Sequence, residues 1–335
     1  MVDVSRRALL RMGGGAAVMP LLGAASMCAQ AVVPAGTAWP AKPIRLVVTF
    51  PPGGSSDIVA RLVAPLLSEQ LGQSVVIDNK PGAGSSIGAQ LVAQSPNDGY
   101  TLLVSNSAAL SIAPSLLEKR SYDPLASFEH LAYIGAVPTV FALHPSVPAN
   151  NIRELAAWIR ASARPVPFGS GGAASVGHLV GEQFAQELGL RMEHVPYRGA
   201  GPMRADLLGG QIKIAIDALP QNIALQKQGR VKLLAVTSAR RVPQSPQTPS
   251  VAELGFGQLV SENYVGISAP AGIAREHAQR LTEAVRQVCR RPEVAQTLEA
   301  QGFVTQDMDA AGFTRLVTSQ ASTWAAVAKR TGATL

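Results

Sequence analysis

Two glycine-rich segments, each lying between a predicted strand and a predicted helix, are the parts of the sequence best suited to hold an anion. The first is PPGGSSD at residues 51–57, and SGGAAS at residues 170–175 repeats its arrangement. Backbone N–H groups in the first turn of a helix have no helical acceptor, and the helix dipole adds partial positive charge there. Because glycine also lets a ligand approach the backbone closely, the first segment predicts a binding site for a carboxylate.

The apolar pattern around each segment predicts the elements that position it. Residues 44–50 form a nearly continuous apolar run rich in β-branched side chains, which is typical of a strand buried in a parallel sheet. Apolar residues then recur at helical spacing over residues 58–67, behind N-cap candidates at residues 55–57. Around the second segment, residues 167–170 predict a short strand, and apolar side chains of residues 176–188 share one helical face.

Strand and helix patterns alternate along the rest of the chain, which predicts an α/β fold with mostly parallel sheets flanked by helices. The two strand-glycine-helix units lie about a domain apart and predict two facing lobes, with a ligand held between two helix starts. A length of 335 residues also favours two domains. With a crossover near Pro138, we expect lobe 1 to comprise residues 32–138 and 257–335, and lobe 2 residues 139–256.

The serines of the second segment also allow an alternative function, an exported hydrolase that uses Ser170 or Ser175 as its nucleophile. The nucleophile-elbow motif GxSxG is absent, since the local sequence reads PFGSGGAAS. Ser175 and His178 are three residues apart, so a helix would make them neighbours without orienting a base at an exposed oxygen. Helix capping by Ser175 is therefore favoured over catalysis.

Other polar side chains near the predicted loops have more than one possible role. Asp57 caps its helix, contacts a ligand ammonium group, or pairs with a base across the cleft. Tyr197 forms an aromatic wall or part of the core, and Arg198 clamps a carboxylate or is a solvated surface residue. Asn106 follows a predicted strand, and polar residues at the carboxyl end of a strand belong to the ligand crevice of an α/β sheet.

The composition excludes several other classes of function. The net charge is +7, but no basic run is interleaved with aromatic residues, so nucleic acid is not an expected partner. The histidines are scattered without HExxH-type pairing, and no metal site is expected. A glycine run at residues 82–88 resembles a dinucleotide fingerprint, but its GxGxxxG spacing and the missing acidic residue argue against NAD or FAD.

Residues 1–31 have the three parts of an export signal. Arginines at positions 6, 7 and 11 precede an apolar segment of Ala, Gly, Leu and Met, and AQA at residues 29–31 is a small-x-small cleavage site. The sequence therefore predicts export with cleavage near Ala31. The paired arginines are also a weaker indication of the twin-arginine route, since signals of the general export route have basic starts as well.

Seven segments spread over nearly the whole exported chain resemble the Bug family, the substrate-binding proteins of tripartite tricarboxylate transporters. They are WPAKPIRLVVTFPPGGSSDIVARL, LGQSVVIDNKPGAGSSIGAQLVAQSPNDGYTLL, YDPLASF, FGSGGAASVGHL, HVPYRGAG, LLAVTSARR and ISAPAGI. The resemblance implies a two-lobed, Venus-flytrap α/β receptor of the periplasm that performs no enzymatic step. Such a receptor would capture a small organic carboxylate and present it to membrane transporter subunits or to a sensor protein.

The resemblance also implies which residues hold the ligand. The loops at residues 50–57 and 170–175 would bind the carboxylate through backbone N–H groups, hydroxyls and ordered water, and other side chains would complete the crevice. The expected ligand-binding residues are Phe50, Pro51, Pro52, Gly53, Gly54, Ser55, Asp57, Ser85, Asn106, Ser170, Gly171, Gly172, Ser175, His178, Tyr197 and Asp217. No catalytic residue and no cofactor is expected, and the lobes should close by hinge motion near residues 137–141 and 254–266.

Overall fold

The computed structural model describes residues 39–335, so the predicted export signal lies outside the described residues. The strands in this part of the chain are β1 (Ile44–Val48), β2 (Val75–Asn79), β3 (Thr101–Asn106), β4 (Phe128–Leu143), β5 (Val166–Ser170), β6 (Met192–Pro196), β7 (Ile214–Ala218), β8 (Lys232–Val236) and β9 (Glu262–Pro270). The α-helices are α1 (Ser55–Leu71), α2 (Ser86–Ala93), α3 (Ala113–Leu116), α4 (Ile152–Arg160), α5 (Val176–Glu187), α6 (Ala200–Leu208), α7 (Pro220–Lys227), α8 (Arg275–Arg290), α9 (Pro292–Ala300) and α10 (Ala310–Thr331). The expected α/β fold class is confirmed.

The described strands form one mixed sheet in the order β2-β1-β3-β9-β4-β7-β5-β6, with β8 paired to β4. β1 pairs in parallel with β2 and β3, and β5 pairs in parallel with β6 and β7. The antiparallel pairs of the described strands all involve β4 or β9. β1 lies between two neighbours and is largely buried, as its apolar run predicted.

β4 connects the two halves of this sheet. Its residues 128–138 pair antiparallel with β9, whereas residues 139–143 pair with β7. In the strand order, β1, β2 and β3 lie on one side of β4, and β5, β6 and β7 lie on the other. The expected lobe boundary at residues 138 and 139 falls where β4 changes partners, and the boundary itself stays a prediction.

The helix α1 begins directly after the first glycine-rich segment. Its N-cap is Gly54, in extended backbone, rather than one of the predicted candidates at residues 55–57. The helix continues through Pro65, so this proline does not split it. Its buried face includes Val59, Val63 and Leu67, which pack against the core around β1 and thereby fix the position of the first helical turn.

The C-terminal helix α10 packs against the cores of both sheet halves. Phe313 and Val317 belong to the core that contains residues of β3 and β9. Trp324 and Val327, farther along the helix, belong to the core that contains residues of β5 and α5. α10 therefore bridges the two halves. None of the helices in residues 39–335 combines the length and apolar character needed to cross a bilayer.

Gly181 on α5 lies so close to β5 that an added Cβ atom would be 2.1 Å from Cε2 of the fully buried Phe168. Gly181→Ala is therefore expected to lower the free energy of unfolding by about 1–3 kcal/mol. Gly201→Ala on α6 is the matched control, since no atom lies within 4 Å of its added Cβ. Urea unfolding measures both variants, and an unchanged free energy of unfolding for Gly181→Ala would contradict this packing.

Candidate functional site

Two adjoining cavities lie between the halves of the sheet and form one cleft, with Phe50, Pro51, Gly171 and Gly199 in the walls of both. The first cavity, of about 80 Å³, is lined by Phe50, Pro51, Gly54, Ser55, Ser56, Ala108, Thr139, Gly171, Ser175, Val176, Gly177, Gly199, Ala200, Ile216, Asp217, Ala218, Gln221 and Asn263. The second, of about 480 Å³, is lined by Thr49, Phe50, Pro51, Pro81, Gly82, Ala83, Gly84, Ser85, Gly171, Gly172, Ala173, Pro196, Tyr197, Arg198, Gly199 and Leu335. Both glycine-rich segments therefore contribute to the same cleft.

The first turns of α1 and α5 both line the first cavity. Their lining residues are Ser55 and Ser56 of α1, and Val176 and Gly177 of α5. The first helical hydrogen bonds are donated by Ile58 in α1 and by Leu179 in α5, each the fourth residue of its helix. The earlier N–H groups have no helical acceptor, so two helix starts bring free donors and partial positive charge to one cavity.

Gly177 explains how the start of α5 comes so close to β7. An added Cβ atom at this position would lie 2.1 Å from the carbonyl oxygen of Ile216. Any other residue would force the helix away from the strand. The glycine thus sets the first turn of α5 against the carboxyl end of β7, where Asp217 and Ala218 line the same cavity.

Asp57 stabilises the first loop and lines neither cavity of the cleft. Its Oδ2 accepts hydrogen bonds from the Gly53 N–H at 2.9 Å and from Arg61 Nε at 2.8 Å, and its Oδ1 accepts one from Asn79 Nδ2 at 3.0 Å. Burial raises the pKa of Asp57, but these hydrogen bonds outweigh burial and hold the pKa below its ordinary value. Asp57 is therefore not the N-cap of α1, and its hydrogen bonds instead hold the first loop against the first turn of its own helix.

A cluster of two serines and two histidines lies behind the second loop. Ser170 Oγ is 2.7 Å from His194 Nε2, and Ser175 Oγ donates to Ser170 Oγ at 3.1 Å. The rings of His178 and His194 stack with their centroids 3.8 Å apart. Burial lowers the pKa of His178 to about 4, and burial together with neighbouring His178 lowers the pKa of His194 to about 3. Both histidines are therefore neutral near pH 7.

The positions of Ser170 and Ser175 in this cluster do not favour the alternative function, a serine hydrolase. Ser170, the serine beside a histidine nitrogen, is fully buried, and its hydroxyl also donates to the Gly172 carbonyl at 2.9 Å. Ser175 lines the first cavity, but its Oγ accepts the His178 N–H at 3.2 Å, which confirms the predicted helix cap. Nucleophilic catalysis needs one exposed hydroxyl with a base beside it, and neither serine combines the two.

Asp217 lines the first cavity with a carboxylate that is already paired inside the protein. Its Oδ2 accepts hydrogen bonds from Arg204 Nη1 at 3.1 Å and from Asn222 Nδ2 at 2.9 Å. Burial raises the pKa of Asp217, while Arg204 and Asn222 act in the opposite direction. Thr139 of β4 and Asn263 of β9 line the same cavity, so the strands that join the halves also contribute to the site.

The walls of the cleft touch at two points. An added Cβ atom on Gly199 would lie 3.1 Å from Pro51 Cγ, so the loop before α6 meets the loop before α1. An added Cβ atom on Gly84 would lie 2.7 Å from Ala174 Cβ. Each contact joins opposite halves of the sheet, so the halves meet across the cleft.

The structure brings most of the predicted ligand-binding residues to the cleft and places the others outside its lining. Those that line at least one cavity are Phe50, Pro51, Gly54, Ser55, Ser85, Gly171, Gly172, Ser175, Tyr197 and Asp217. Those that line neither are Pro52, Gly53, Asp57, Asn106, Ser170 and His178. Asn106 is fully buried, where its Nδ2 donates to Thr49 Oγ1 at 2.8 Å. The ligand-binding role of the predicted residues stays a prediction.

Several residues that line the cleft were not predicted from the sequence. The sequence could have predicted Gly199, because YRGAG places a glycine turn directly before α6. The two predicted loops have the same arrangement. Thr139, Gln221 and Asn263 lie in no motif, and only the folded chain brings them together. Tyr197 and Arg198 both line the second cavity, which favours the pocket-wall role for Tyr197.

Comparisons with known proteins identify what the chain is similar to. The sequence model described as tripartite tricarboxylate transporter family receptor matches residues 59–333. Protein BugT of Bordetella pertussis is 34% identical over 302 residues, which cover 89% of this chain and 91% of BugT. The structure titled R. palustris Rpa4515 with adipate has a TM-score of 0.84 and 32% identity, covering 89% of this chain and all of that one. MatC from Rhodopseudomonas palustris with bound malate has a TM-score of 0.82 and 26% identity, covering 86% and 99%.

The neutral state of His178 and His194 makes stability depend on pH. An unfolded histidine takes up a proton near pH 6.5, whereas these two stay neutral in the folded protein until about pH 4 and about pH 3. The unfolded state therefore binds more protons below pH 6.5, and stability is lost as the pH falls. We expect the free energy of unfolding to drop by about 2 kcal/mol for each of these histidines between pH 7 and 5.

Urea unfolding of the wild type and of His178→Gln at pH 7, 6 and 5 measures this effect. The variant should lose about 1–2 kcal/mol less than the wild type over that interval, because its side chain does not titrate. Identical pH profiles for the two proteins would contradict a neutral, buried His178.

Proposed function

The chain belongs to the tripartite tricarboxylate transporter receptor family, whose members are periplasmic solute-binding proteins, and from this premise we propose that it binds a small organic carboxylate in the cleft. The carboxylate would lie between the first turns of α1 and α5. The observation that carries the proposal is that both helix starts line one cavity. Their free N–H donors and the positive ends of both helix dipoles would act together on a negative group held there.

The similar proteins of known structure support this class of ligand. One of them is described with adipate and another with bound malate. Both molecules are small organic acids, and the carboxylate is the group that they share. Backbone donors recognise that group independently of the rest of the ligand, which is why we transfer the carboxylate and not either whole molecule.

We propose a periplasmic location for the mature protein, after cleavage of the export signal near Ala31. There it would present the bound acid to membrane transporter subunits or to a sensor protein. Transport receptors of this kind bind and release their ligand unchanged. We propose no catalytic step, because the serine that lies beside a histidine is buried outside the cleft.

We propose that the two halves move apart to admit the ligand. β4 changes its pairing partner near Thr139, and β9 runs beside it at the same place, where Asn263 pairs with Val137. We propose that these strands are the hinge, within residues 137–141 and 254–266. Opening would separate the contacts that Pro51 makes with the loop containing Gly199.

A thermal-shift screen of dicarboxylic, tricarboxylic, aromatic and amino acids tests the function directly. A ligand that binds only the folded state and is present at about 100 times its dissociation constant stabilises by about 2.7 kcal/mol. At least one acid should therefore raise the melting temperature by several degrees. A screen in which no acid raises it would contradict the proposal.

Proline at the first position of a helix removes one backbone N–H without breaking the helix, because that N–H has no helical acceptor. Ser55 and Val176 hold this position, and the residues before them, Gly54 and Ser175, already have the extended backbone that precedes proline. Ser55→Pro and Val176→Pro should each weaken binding of the best acid from the screen by about tenfold to a hundredfold. Isothermal titration calorimetry measures the affinity.

Two controls distinguish the loss of the backbone N–H from other effects of the proline substitutions. Ser55→Ala keeps the N–H and removes only the hydroxyl, so it should weaken binding less than Ser55→Pro. Arg275→Pro makes the same backbone change at the start of α8, which lines neither cavity, and should leave the affinity unchanged. Folded Ser55→Pro and Val176→Pro variants that bind as tightly as the wild type would show that the helix starts do not hold the carboxylate.

A further inference from the structure

Thr139 of β4 lines the first cavity with a hydroxyl that the protein leaves unpaired. The residue is only 3% exposed, and its backbone N–H and carbonyl are both hydrogen-bonded to Thr237, at 2.8 and 2.9 Å. Its Oγ1 has no hydrogen-bond partner among residues 39–335, yet it is not one of the fully shielded polar atoms of this part of the chain. The hydroxyl is therefore accessible from the cavity, where a ligand group can pair with it.

The register of the sheet places this hydroxyl beside the start of α5. Thr139 and Phe141 lie on the same face of β4, because alternate residues of a strand point to the same side. Phe141 packs against Phe184 of α5, with the ring centroids 5.0 Å apart, so this is the face that α5 covers. Thr139 lies opposite Ala218, the last residue of β7, and α5 begins at the same end of the sheet because β7 runs parallel to β5. Thr139 therefore lies under the first turn of α5.

The two helix starts already supply the donors that a carboxylate needs. The N–H groups of residues 55–57 in α1 and 176–177 in α5 have no hydrogen-bond acceptor within residues 39–335. These groups outnumber the roughly four hydrogen bonds that a carboxylate accepts. The Thr139 hydroxyl is then available to a second group. Because it lies under the start of α5, that second group must lie directly beside the carboxylate.

The charges around Thr139 favour a neutral group at this position. Both helix starts carry partial positive charge, which disfavours an ammonium group there. Asp217 precedes Ala218 and so points to the opposite face of the sheet, where Arg204 of α6 pairs with its carboxylate at 3.1 Å. The Asp217 carboxylate therefore does not offset the helix starts beside the Thr139 hydroxyl. A hydroxyl or a carbonyl oxygen is neutral and can pair with Thr139.

We propose that Thr139 is a specificity-determining residue that selects acids with an oxygen on the carbon next to the carboxylate, namely 2-hydroxy and 2-oxo acids. This inference rests on the proposed carboxylate-binding function and assigns the group beside the carboxylate. The Thr139 hydroxyl donates to a 2-oxo group, and it donates to or accepts from a 2-hydroxyl group. The carboxylate itself lies at the starts of α1 and α5.

Pairs of acids that differ only in a 2-hydroxyl group test this assignment. The pairs are lactate and propionate, malate and succinate, and mandelate and phenylacetate, with each enantiomer of the hydroxy acids titrated separately. Calorimetry should show that the wild type binds the preferred enantiomer of the hydroxy acid about threefold to tenfold more tightly than its partner. The 2-amino counterparts alanine, aspartate and phenylglycine should bind no more tightly than the unsubstituted acids.

Two variants then assign the preference to Thr139. Thr139→Val keeps the branched shape of the side chain without its oxygen, so it should bind both members of each pair with equal affinity. Thr139→Ser keeps the hydroxyl and should keep the preference for the hydroxy acid. Because the Thr139 hydroxyl has no protein partner to lose and Thr237 pairs with the backbone alone, Thr139→Val should retain the melting temperature of the unliganded wild type.

The outcomes separate this inference from the function on which it rests. Equal affinity of the wild type for both members of each pair, tighter binding of a 2-amino acid, or a hydroxyl preference that survives in Thr139→Val would overturn the role of Thr139. In each of these cases acids still bind, and the carboxylate site stands. If none of the acids binds, the inference and the proposed carboxylate site both fail.

Discussion

The site depends on backbone N–H groups in the first turns of two helices. These groups have no hydrogen-bond acceptor within their own helices. In α1 and α5 these groups lie at one cavity, and each helix start is fixed by packing. The buried face of α1 packs on the core around β1, and Gly177 lets α5 approach the Ile216 carbonyl. Because the two starts come from opposite halves of the sheet, they act on one anion only when the halves face each other. The proposed function therefore implies that ligand binding and cleft closure are thermodynamically coupled.

The charged and titratable side chains that support the two loops and the first cavity are paired or neutral. Asp57 pairs with Arg61, Asp217 pairs with Arg204, and the stacked histidines His178 and His194 are neutral near pH 7. The hydrogen bonds of this supporting layer also hold the loops in one conformation, so the N–H groups are oriented before the ligand arrives.

The sequence predicts the fold class and both loops because each depends on local patterns. The apolar run of β1, the glycine turn after it and the helical spacing of α1 lie within about thirty residues. What it does not predict depends on pairing between distant segments. The hydrogen bond between Ser170 and His194 is one example, because it forms only when β5 pairs with β6. Gln221 and Asn263 reach the cavity only because the strand order places β7 beside β4 and β4 beside β9.

The most direct test of the central claim is a crystal structure of the protein with a bound acid from the thermal-shift screen. The two-helix account predicts carboxylate oxygens about 2.7–3.2 Å from backbone nitrogens in the first turns of both α1 and α5. It would be contradicted by a carboxylate held by one loop alone, or by a side chain such as Arg198 with the two helix starts facing only solvent.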